Sequence, residues 1–192
     1  MPIFRRGPGP HALPLAMSGV KLGERFLYVG SGRPRQFAAL ASKPGLTGHS
    51  CAIVDGPSEA EAMQRAAARE GVLVDIVAGA AGTFPYDDGS FDVAVADSTD
   101  GALGAMSPAD CASRLGEIFR VLRPGGRLLV VEVMTRGIRA LLGAAPVNAG
   151  YRLSGGAKGV LDTAGFRPVR VLAEREGFRF TEGIKPGITW RT

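Results

Sequence analysis

The sequence has few residues that could form a disulfide framework or a metal centre. Its 192 residues include two cysteines, Cys51 and Cys111, and each lies in an apolar pattern that is typical of a buried free thiol. The two histidines, His11 and His49, are far apart and lack the spacing of zinc ligands. We therefore expect neither a disulfide nor a metal site.

Signals for secretion and for membrane insertion are also missing. Arg5 and Arg6 are followed by Gly-Pro-Gly-Pro, where a signal peptide would need an apolar run. No stretch approaches the length of a membrane span. These absences predict a cytoplasmic protein that does not cross a membrane.

The charge balance is moderately basic. The chain carries 23 Lys and Arg residues against 18 Asp and Glu residues, for a net charge of +5 and a pI of about 9.7. The basic residues are spread along the chain, without the clustering or aromatic interleaving of a nucleic-acid face. We therefore expect a solubilising surface charge and no nucleic-acid partner.

The stretch 26–42, FLYVGSGRPRQFAALAS, organises the rest of the chain. The apolar run from Phe26 to Val29 is followed by the loop Gly30-Ser31-Gly32 and then by apolar residues at helical spacing. Strand, tight loop and helix in this order open a doubly wound α/β domain, where a nucleotide-like ligand lies above the carboxyl end of the strand. Glycine lets the backbone approach such a ligand, and the start of the helix adds free N–H groups and partial positive charge.

The same alternation of strand and helix continues along the chain and predicts one doubly wound, mostly parallel sheet. Ser58 and Glu61 form a capping box that predicts one helix start, and Ser107 predicts another. Residues 1–19 are rich in Pro and Gly and predict an irregular N-terminal flap before a single domain at 20–192. Further strands are predicted at 51–54, 72–77, 91–96 and 128–133, followed by a helix at 154–163 and a closing hairpin at 169–173 and 178–181.

The residues of the loop leave several interpretations open. A dinucleotide fingerprint would need glycine at position 35, which is Arg35, and Pro34 cannot donate an N–H group to a pyrophosphate. These features disfavour an NAD(P)-linked oxidoreductase. Asp55, at the end of the second strand, is placed to meet the ribose of any adenosine cofactor. The glycines could also serve only a tight strand–helix turn.

Two later segments carry a resemblance to a known family. The segment 84–93, FPYDDGSFDV, and the segment 119–127, FRVLRPGGR, resemble those of the class I S-adenosylmethionine-dependent methyltransferases, in their "type 11" branch of small-molecule enzymes. The resemblance covers about residues 20–135. It implies a Rossmann-like sheet of seven strands with an antiparallel C-terminal hairpin, S-adenosylmethionine as cofactor and a small-molecule acceptor.

The resemblance also implies which residues bind the cofactor. Gly30, Ser31 and Gly32 match the family's G-x-G loop, while Asp55, followed by Gly56, matches the acid that binds the ribose. The acid that recognises the adenine amino group is replaced by Ala80, followed by Ala81. Losing that carboxylate removes about 1.5–3 kcal/mol of charge-assisted bonding, or about ten- to a hundred-fold in affinity.

Two more departures concern the first strand and its loop. The acid usual in the first strand is Tyr28, and the third loop glycine is Pro34. Together with Ala80, they support a second hypothesis from a different class. In that hypothesis the chain is a non-catalytic methyltransferase-like module that has lost normal cofactor binding.

Methyl transfer from a sulfonium is an in-line displacement that depends on alignment and exclusion of water. A general base helps only where the acceptor must first lose a proton, so the reaction needs no catalytic triad or metal. The acceptor-side candidates are Asp97 and Ser98, just past the fourth strand, with Asp97 also beside the cofactor, and His11 as a candidate base. Residues 1–19 and 134–153 are candidate covers of the acceptor site.

Overall fold

A computed structural model of the protein describes residues 12–30, 33–79, 82–134 and 147–187. Its centre is a seven-stranded sheet with the order β3-β2-β1-β4-β5-β7-β6. Neighbouring strands from β3 to β5 are parallel, while β7 is antiparallel to both β5 and β6. This sheet confirms the predicted α/β fold with an antiparallel C-terminal hairpin. The strands are β1 Arg25–Val29, β2 His49–Val54, β3 Asp75–Ala78, β4 Phe91–Ser98, β5 Leu122–Val133, β6 Val169–Arg175 and β7 Phe178–Ile184.

Helices cover both faces of the sheet because successive side chains of a strand point to opposite faces. Phe26 and Tyr28 of β1 belong to a core with helices α2 and α3, whereas Leu27 and Val29 belong to a core with α5 and α7. The helices are α1 Ala12–Ser18, α2 Pro34–Ala41, α3 Pro57–Arg69, α4 Ala102–Ala105, α5 Pro108–Val121, α6 Ala149–Leu153 and α7 Ala157–Thr163.

Several element boundaries differ from the sequence prediction. Within the predicted irregular flap, residues 12–18 form α1, whose apolar side chains pack against the core that contains α2. Helix α3 begins at Pro57 after Gly56, so the predicted capping box of Ser58 and Glu61 is wrong. The predicted cap of α5 is confirmed, because the Ser107 hydroxyl accepts a hydrogen bond from the Asp110 backbone N–H. The helix predicted at 154–163 is observed as α7, which begins three residues later at Ala157, and the separate helix α6 ends before the predicted range.

Helix α5 holds the connection between β3 and β4. The Glu117 carboxylate accepts a 2.7 Å hydrogen bond from the Phe84 backbone N–H. The Arg120 guanidinium donates to the backbone oxygens of Phe84 and Tyr86, at 3.0 and 2.8 Å, and pairs with Asp88 at 2.8 Å. Arg120 and Glu117 also pair with each other at 2.8 Å. The two sequence segments that resemble the methyltransferases are therefore joined by this network.

Within the described residues, no helix is long and apolar enough to cross a membrane.

Candidate active site

A narrow crevice opens at the carboxyl ends of β1, β2 and β4. Gly30 follows β1, Asp55 follows β2, and both line the crevice together with residues at the end of β4. Met106 and Arg114 line it from the side of α4 and α5. The crevice has a volume of about 30 Å³, room for only one or two water molecules.

Gly30 is fixed by contacts within the protein. Its backbone N–H donates a 3.0 Å hydrogen bond to the Ile53 carbonyl, and its φ is +131°, a value that favours glycine. A Cβ at this position would lie 2.5 Å from the Asp97 backbone oxygen. The close approach of β1 to β4 therefore requires glycine here, independently of any ligand.

Asp55 lies where the sequence predicts a ribose-binding acid. Its carboxylate Oδ1 is 3.5 Å from the Arg114 guanidinium of α5, and about half of its side chain is exposed. Gly56, the next residue, precedes α3, and its carbonyl accepts a 3.1 Å hydrogen bond from the Ala60 N–H. The Asp55 carboxylate is thus held at the rim of the crevice.

Asp97 is buried and enclosed by hydrogen-bond donors. Its Oδ2 accepts from the Tyr28 hydroxyl at 2.5 Å and from the Gln36 amide at 3.4 Å, and its Oδ1 accepts from the Thr99 backbone N–H at 3.0 Å. Only 4% of Asp97 is exposed. The carboxylate therefore links the side chains of Tyr28 and Gln36 to the end of β4. Its contact with a cofactor or acceptor stays a prediction.

Tyr28 packs in the core on the α2 side of the sheet and is fully buried. Burial, followed by the neighbouring Asp97 charge, raises the pKa of its hydroxyl well above the usual value, so it remains a hydrogen-bond donor at neutral pH. The crevice is lined from the opposite face by Val29 and Ala96. The tyrosine that replaces the family's acid therefore lies behind the crevice wall.

Ser98 is the next residue on β4 and is also buried. Its hydroxyl accepts a 3.0 Å hydrogen bond from the Leu103 backbone N–H, which fixes α4 against the end of the strand. Its predicted catalytic role stays a prediction. The other predicted site residues lie outside the described residues: His11, Ser31, Gly32, Ala80 and Ala81.

A family model for the methyltransferase domain matches residues 27–130, more than half of the chain. The chain belongs to this family. The matched range includes both segments on which the resemblance depended, 84–93 and 119–127. By family, the protein is thus a methyltransferase.

Two curated relatives are demethylmenaquinone methyltransferases. The one from Thermus thermophilus is 41% identical over 76 residues, which cover 40% of this chain and 32% of that protein. The one from Beutenbergia cavernae is 37% identical over 117 residues, which cover 61% of this chain and 44% of that protein. The matched part is less than half the length of either relative.

The fold is shared with a solved S-adenosylmethionine-dependent methyltransferase from Aquifex aeolicus. The two structures superpose with a TM-score of 0.71 and 19% sequence identity, over 92% of this chain and 89% of that chain. At this identity the similarity concerns the fold.

This methyltransferase has a second cavity, whose lining includes Tyr151 of the segment 134–153, a candidate cover of the acceptor site in the sequence analysis. It lies among α5, α6 and α7, has a volume of about 390 Å³ and has a mostly apolar lining. Met106 lines both this cavity and the crevice. Such a volume lies in the range typical of small-molecule sites.

A half-buried acid, Glu132, lies next to this cavity. Tyr151 lines the cavity, and its hydroxyl donates a 2.6 Å hydrogen bond to Oε1 of Glu132 on β5. The Glu132 Oε2 atom is buried without a hydrogen-bond partner among the described residues, and burial raises the pKa of this carboxyl. A charged residue at the end of the apolar run of β5 was the sequence signal that could have identified it.

The basic residues of the methyltransferase also cluster in one place. Arg65 pairs with Glu61 at 3.2 Å, and the Arg33 guanidinium lies 4.9 Å from the centroid of the Phe178 ring. The expectation that basic residues do not cluster is wrong here, because α2 and α3 bring together residues that are far apart in the chain. The groove between these helices is lined by Arg33, Arg35, Arg65 and Arg69.

Proposed function

We propose that this protein transfers the methyl group of S-adenosylmethionine to a small apolar acceptor. The observation that carries the proposal is the position of Met106, which separates a crevice that carries Asp55 from an apolar cavity of about 390 Å³. One ligand at each side of this residue would place a donor next to an acceptor. Cytoplasmic location and the absence of a nucleic-acid partner remain predictions.

The residues around the crevice fit an adenosyl cofactor in their chemistry. The Asp55 carboxylate would accept hydrogen bonds from the ribose hydroxyls, and the bare backbone at Gly30 would let the methionine part approach. Gly56 and Asp97 are proposed cofactor neighbours on the same edge, as are Ser31, Gly32, Ala80 and Ala81 from the sequence. The bound cofactor supplies an electrophilic methyl group, and the chain contributes alignment and exclusion of water.

The crevice is too small to hold an adenosyl group in the structure described. At about 30 Å³ it must widen to admit an adenosyl group. Met106 and Arg114 are the long side chains at its rim, and both can change rotamer without moving a strand. We propose that these two side chains move aside when the cofactor binds.

The acceptor cavity supports an apolar ring system as substrate. Its lining is mostly apolar, and both curated relatives are named for a quinone acceptor. Glu132 is the proposed general base for an acceptor hydroxyl or acidic carbon: the Tyr151 hydroxyl, on the cavity wall, would take the acceptor's proton while passing its own proton to Oε1 of Glu132. Tyr151 would position this carboxylate through its hydrogen bond. A raised carboxyl pKa makes a better base near neutral pH.

A second candidate is the non-catalytic module. The small crevice favours it, as do the departures from the family pattern at Pro34 and Ala80, whereas Tyr28 lies behind the crevice wall and leaves the crevice unobstructed. In this case the apolar cavity would bind a ligand without chemistry.

Calorimetry with S-adenosylhomocysteine distinguishes the two candidates. We expect one binding site on the wild-type chain and an affinity about ten- to a hundred-fold lower for Asp55→Asn, since charge-assisted hydrogen bonds to the ribose are lost. Glu61→Gln is the matched control, because it also removes a carboxylate paired with an arginine, but on the exposed surface of α3. Unchanged binding is expected for this control. Absence of heat at millimolar concentrations of S-adenosylmethionine and S-adenosylhomocysteine would support the non-catalytic module.

A further inference from the structure

We propose that His49, Cys51 and Asp75 form a binding site for one Zn²⁺ ion, with water as the fourth ligand. The three side chains offer an imidazole nitrogen, a thiol sulfur and a carboxylate oxygen, and these atoms all lie within 4.8 Å of one another. The site is near the amino ends of β2 and β3, whereas the crevice lies at the carboxyl ends of the strands. It is therefore independent of the proposed methyl transfer.

The backbone brings the three residues together. His49 is the first residue of β2, and Cys51 follows two positions later, so both side chains point to the same face of the sheet. Asp75 is the first residue of β3 and is the direct partner of Cys51 in the parallel register. The sequence did not indicate this site because its third ligand comes from a neighbouring strand.

The distances require only small side-chain movements to accommodate zinc. The Nε2 atom of His49 is 2.9 Å from Oδ2 of Asp75. Zinc–ligand bonds of about 2.0–2.3 Å put the ligand atoms of a tetrahedral site about 3.5 Å apart. Cys51 is buried and fixed, whereas 57% of the His49 side chain and 68% of the Asp75 side chain are exposed. These two can rotate toward the Cys51 sulfur at little cost.

The Tyr86 hydroxyl provides a second observation at the same place. It is buried and interacts with the Cys51 thiol, and it has no other hydrogen-bond partner among the described residues. A thiolate bound to zinc would accept a hydrogen bond from this hydroxyl, as surrounding donors commonly do for metal ligands.

The ligand chemistry selects the metal, and the topology indicates its role. Nitrogen, sulfur and oxygen ligands suit zinc and its transition-metal neighbours, whereas calcium and magnesium prefer oxygen alone. Strand β3 is the edge of the sheet and pairs only with β2 among the described strands. A metal bound by Asp75 of β3 and by His49 and Cys51 of β2 would link the two strands and stabilise the pairing of this edge strand.

The test uses Co²⁺ as a spectroscopic probe on the full chain after treatment with a chelator. We expect one Co²⁺ per chain, with a thiolate-to-cobalt charge-transfer band and the intense visible bands of tetrahedral coordination. Zn²⁺ should displace Co²⁺ and raise the midpoint of thermal unfolding. Absence of a charge-transfer band at saturating Co²⁺ would overturn the proposal.

Variants then identify the ligands. Cys51→Ser should abolish the charge-transfer band, while Cys111→Ser, which removes the other buried thiol, should leave it unchanged. Because Cys51 is in the core, His49→Gln and Asp75→Asn provide a second test at exposed positions. Each should weaken Zn²⁺ binding at least about tenfold and remove the thermal shift, as removal of even a surrounding group costs ten- to a hundred-fold. A band that persists in Cys51→Ser, or affinities unchanged in both exposed variants, would contradict the site.

Discussion

The Tyr28 hydroxyl donates a 2.5 Å hydrogen bond to Oδ2 of Asp97, and both residues are buried between β1, β4 and α2. The family resemblance places an acid at position 28, where it would lie next to the Asp97 carboxylate. Two carboxylates at this distance would repel each other unless one were protonated. Tyrosine at position 28 instead provides a neutral donor that stabilises the Asp97 charge.

This relationship predicts a stability difference between two tyrosine substitutions. Tyr28→Phe should lower the free energy of unfolding by about 1–3 kcal/mol, because it leaves a buried carboxylate oxygen without its main donor. Tyr86→Phe in the metal-free protein is the matched control and should change it by less than about 0.5 kcal/mol, since the only partner of that hydroxyl among the described residues is the Cys51 thiol, which bonds weakly. Urea unfolding measures both. Equal effects would show that the Tyr28 hydrogen bond does not stabilise the fold.

The tyrosines also predict how stability depends on alkaline pH. Burial is the first cause that raises the pKa of each hydroxyl, at Tyr28, Tyr86 and Tyr151. The unfolded chain has tyrosine pKa values of about 10. Because the folded state holds these protons more tightly, their contribution to stability is complete below about pH 10 and is lost as the pH rises toward the folded values.

The measurement is tyrosinate absorbance recorded together with circular dichroism during an alkaline titration. We expect tyrosinate to form above pH 10 only as the protein unfolds, in one cooperative step. Tyr28→Phe should make stability fall less steeply with pH. Ionisation of the tyrosines near their ordinary pKa of about 10, with the fold intact, would contradict the burial argument.

The glycine after β1 makes a separate prediction. In Gly30→Ala, a positive φ would cost about 1–3 kcal/mol and the contact with the Asp97 carbonyl about 1–3 kcal/mol more. Gly71→Ala is the control, because Gly71 has a φ of +66° but no atom within 4 Å of an added Cβ. It should cost about 1–2 kcal/mol. Urea unfolding should therefore rank Gly30→Ala as the more destabilised; the opposite order would show that the contact is relieved.

The expected destabilisation of Gly30→Ala makes this variant a poor test of cofactor binding. Loss of binding in a Gly30 variant would not identify a ligand contact, because the variant is strained without a ligand. Asp55→Asn is the better probe, since its side chain is half-exposed at the rim.

The hydrogen-bond network of Arg120 and Glu117 on α5 predicts that Arg120 contributes more to the free energy of unfolding than an exposed arginine does. Arg120→Met should lower the free energy of unfolding by about 1–3 kcal/mol, because two backbone carbonyls and the half-buried Glu117 lose a charged donor. Arg65→Met removes an exposed pair with Glu61 and should cost less than about 0.5 kcal/mol. Chemical unfolding of the two variants checks the contrast, and similar losses would argue against the network.

The sequence predicted those parts of the fold where the local pattern and the final packing agree. The apolar run of β1 and the cap at Ser107 were predicted correctly, because their signals are local. The early start of β5 was missed. Residues before position 128 extend this strand through hydrogen bonds between Gly125, Gly126 and Lys185, which no local pattern reveals.

The site was predictable only to the level of the strand ends. Asp55 and Asp97 both follow from the rule that ligands bind at the carboxyl edge of a parallel sheet. Both residues line the crevice, but the sequence did not reveal that Tyr28 and Gln36 hold the Asp97 carboxylate through hydrogen bonds. The apolar cavity among α5, α6 and α7 depends on helix packing, for which the sequence carried no pattern.

The proposed base gives the prediction that most directly tests chemistry. With S-adenosylmethionine and an apolar quinol as the trial acceptor, Glu132→Gln should lower kcat/KM by about 10²–10⁴-fold, the usual contribution of a general base. Affinity for S-adenosylhomocysteine should not change, because Glu132 lies next to the acceptor cavity and does not line the crevice.

The pH–rate profile gives a second test of the same residue. Since burial raises the pKa of the Glu132 carboxyl, the acidic limb of this profile should lie above the ordinary glutamate value of about 4.3. Activity requires the ionised form and so falls as the pH decreases through that limb, and the glutamine variant should lack it. Tyr151→Phe should lower kcat/KM to a similar extent, because the hydroxyl that links the cavity to Glu132 is lost. An unchanged limb in Glu132→Gln would assign the base to another residue.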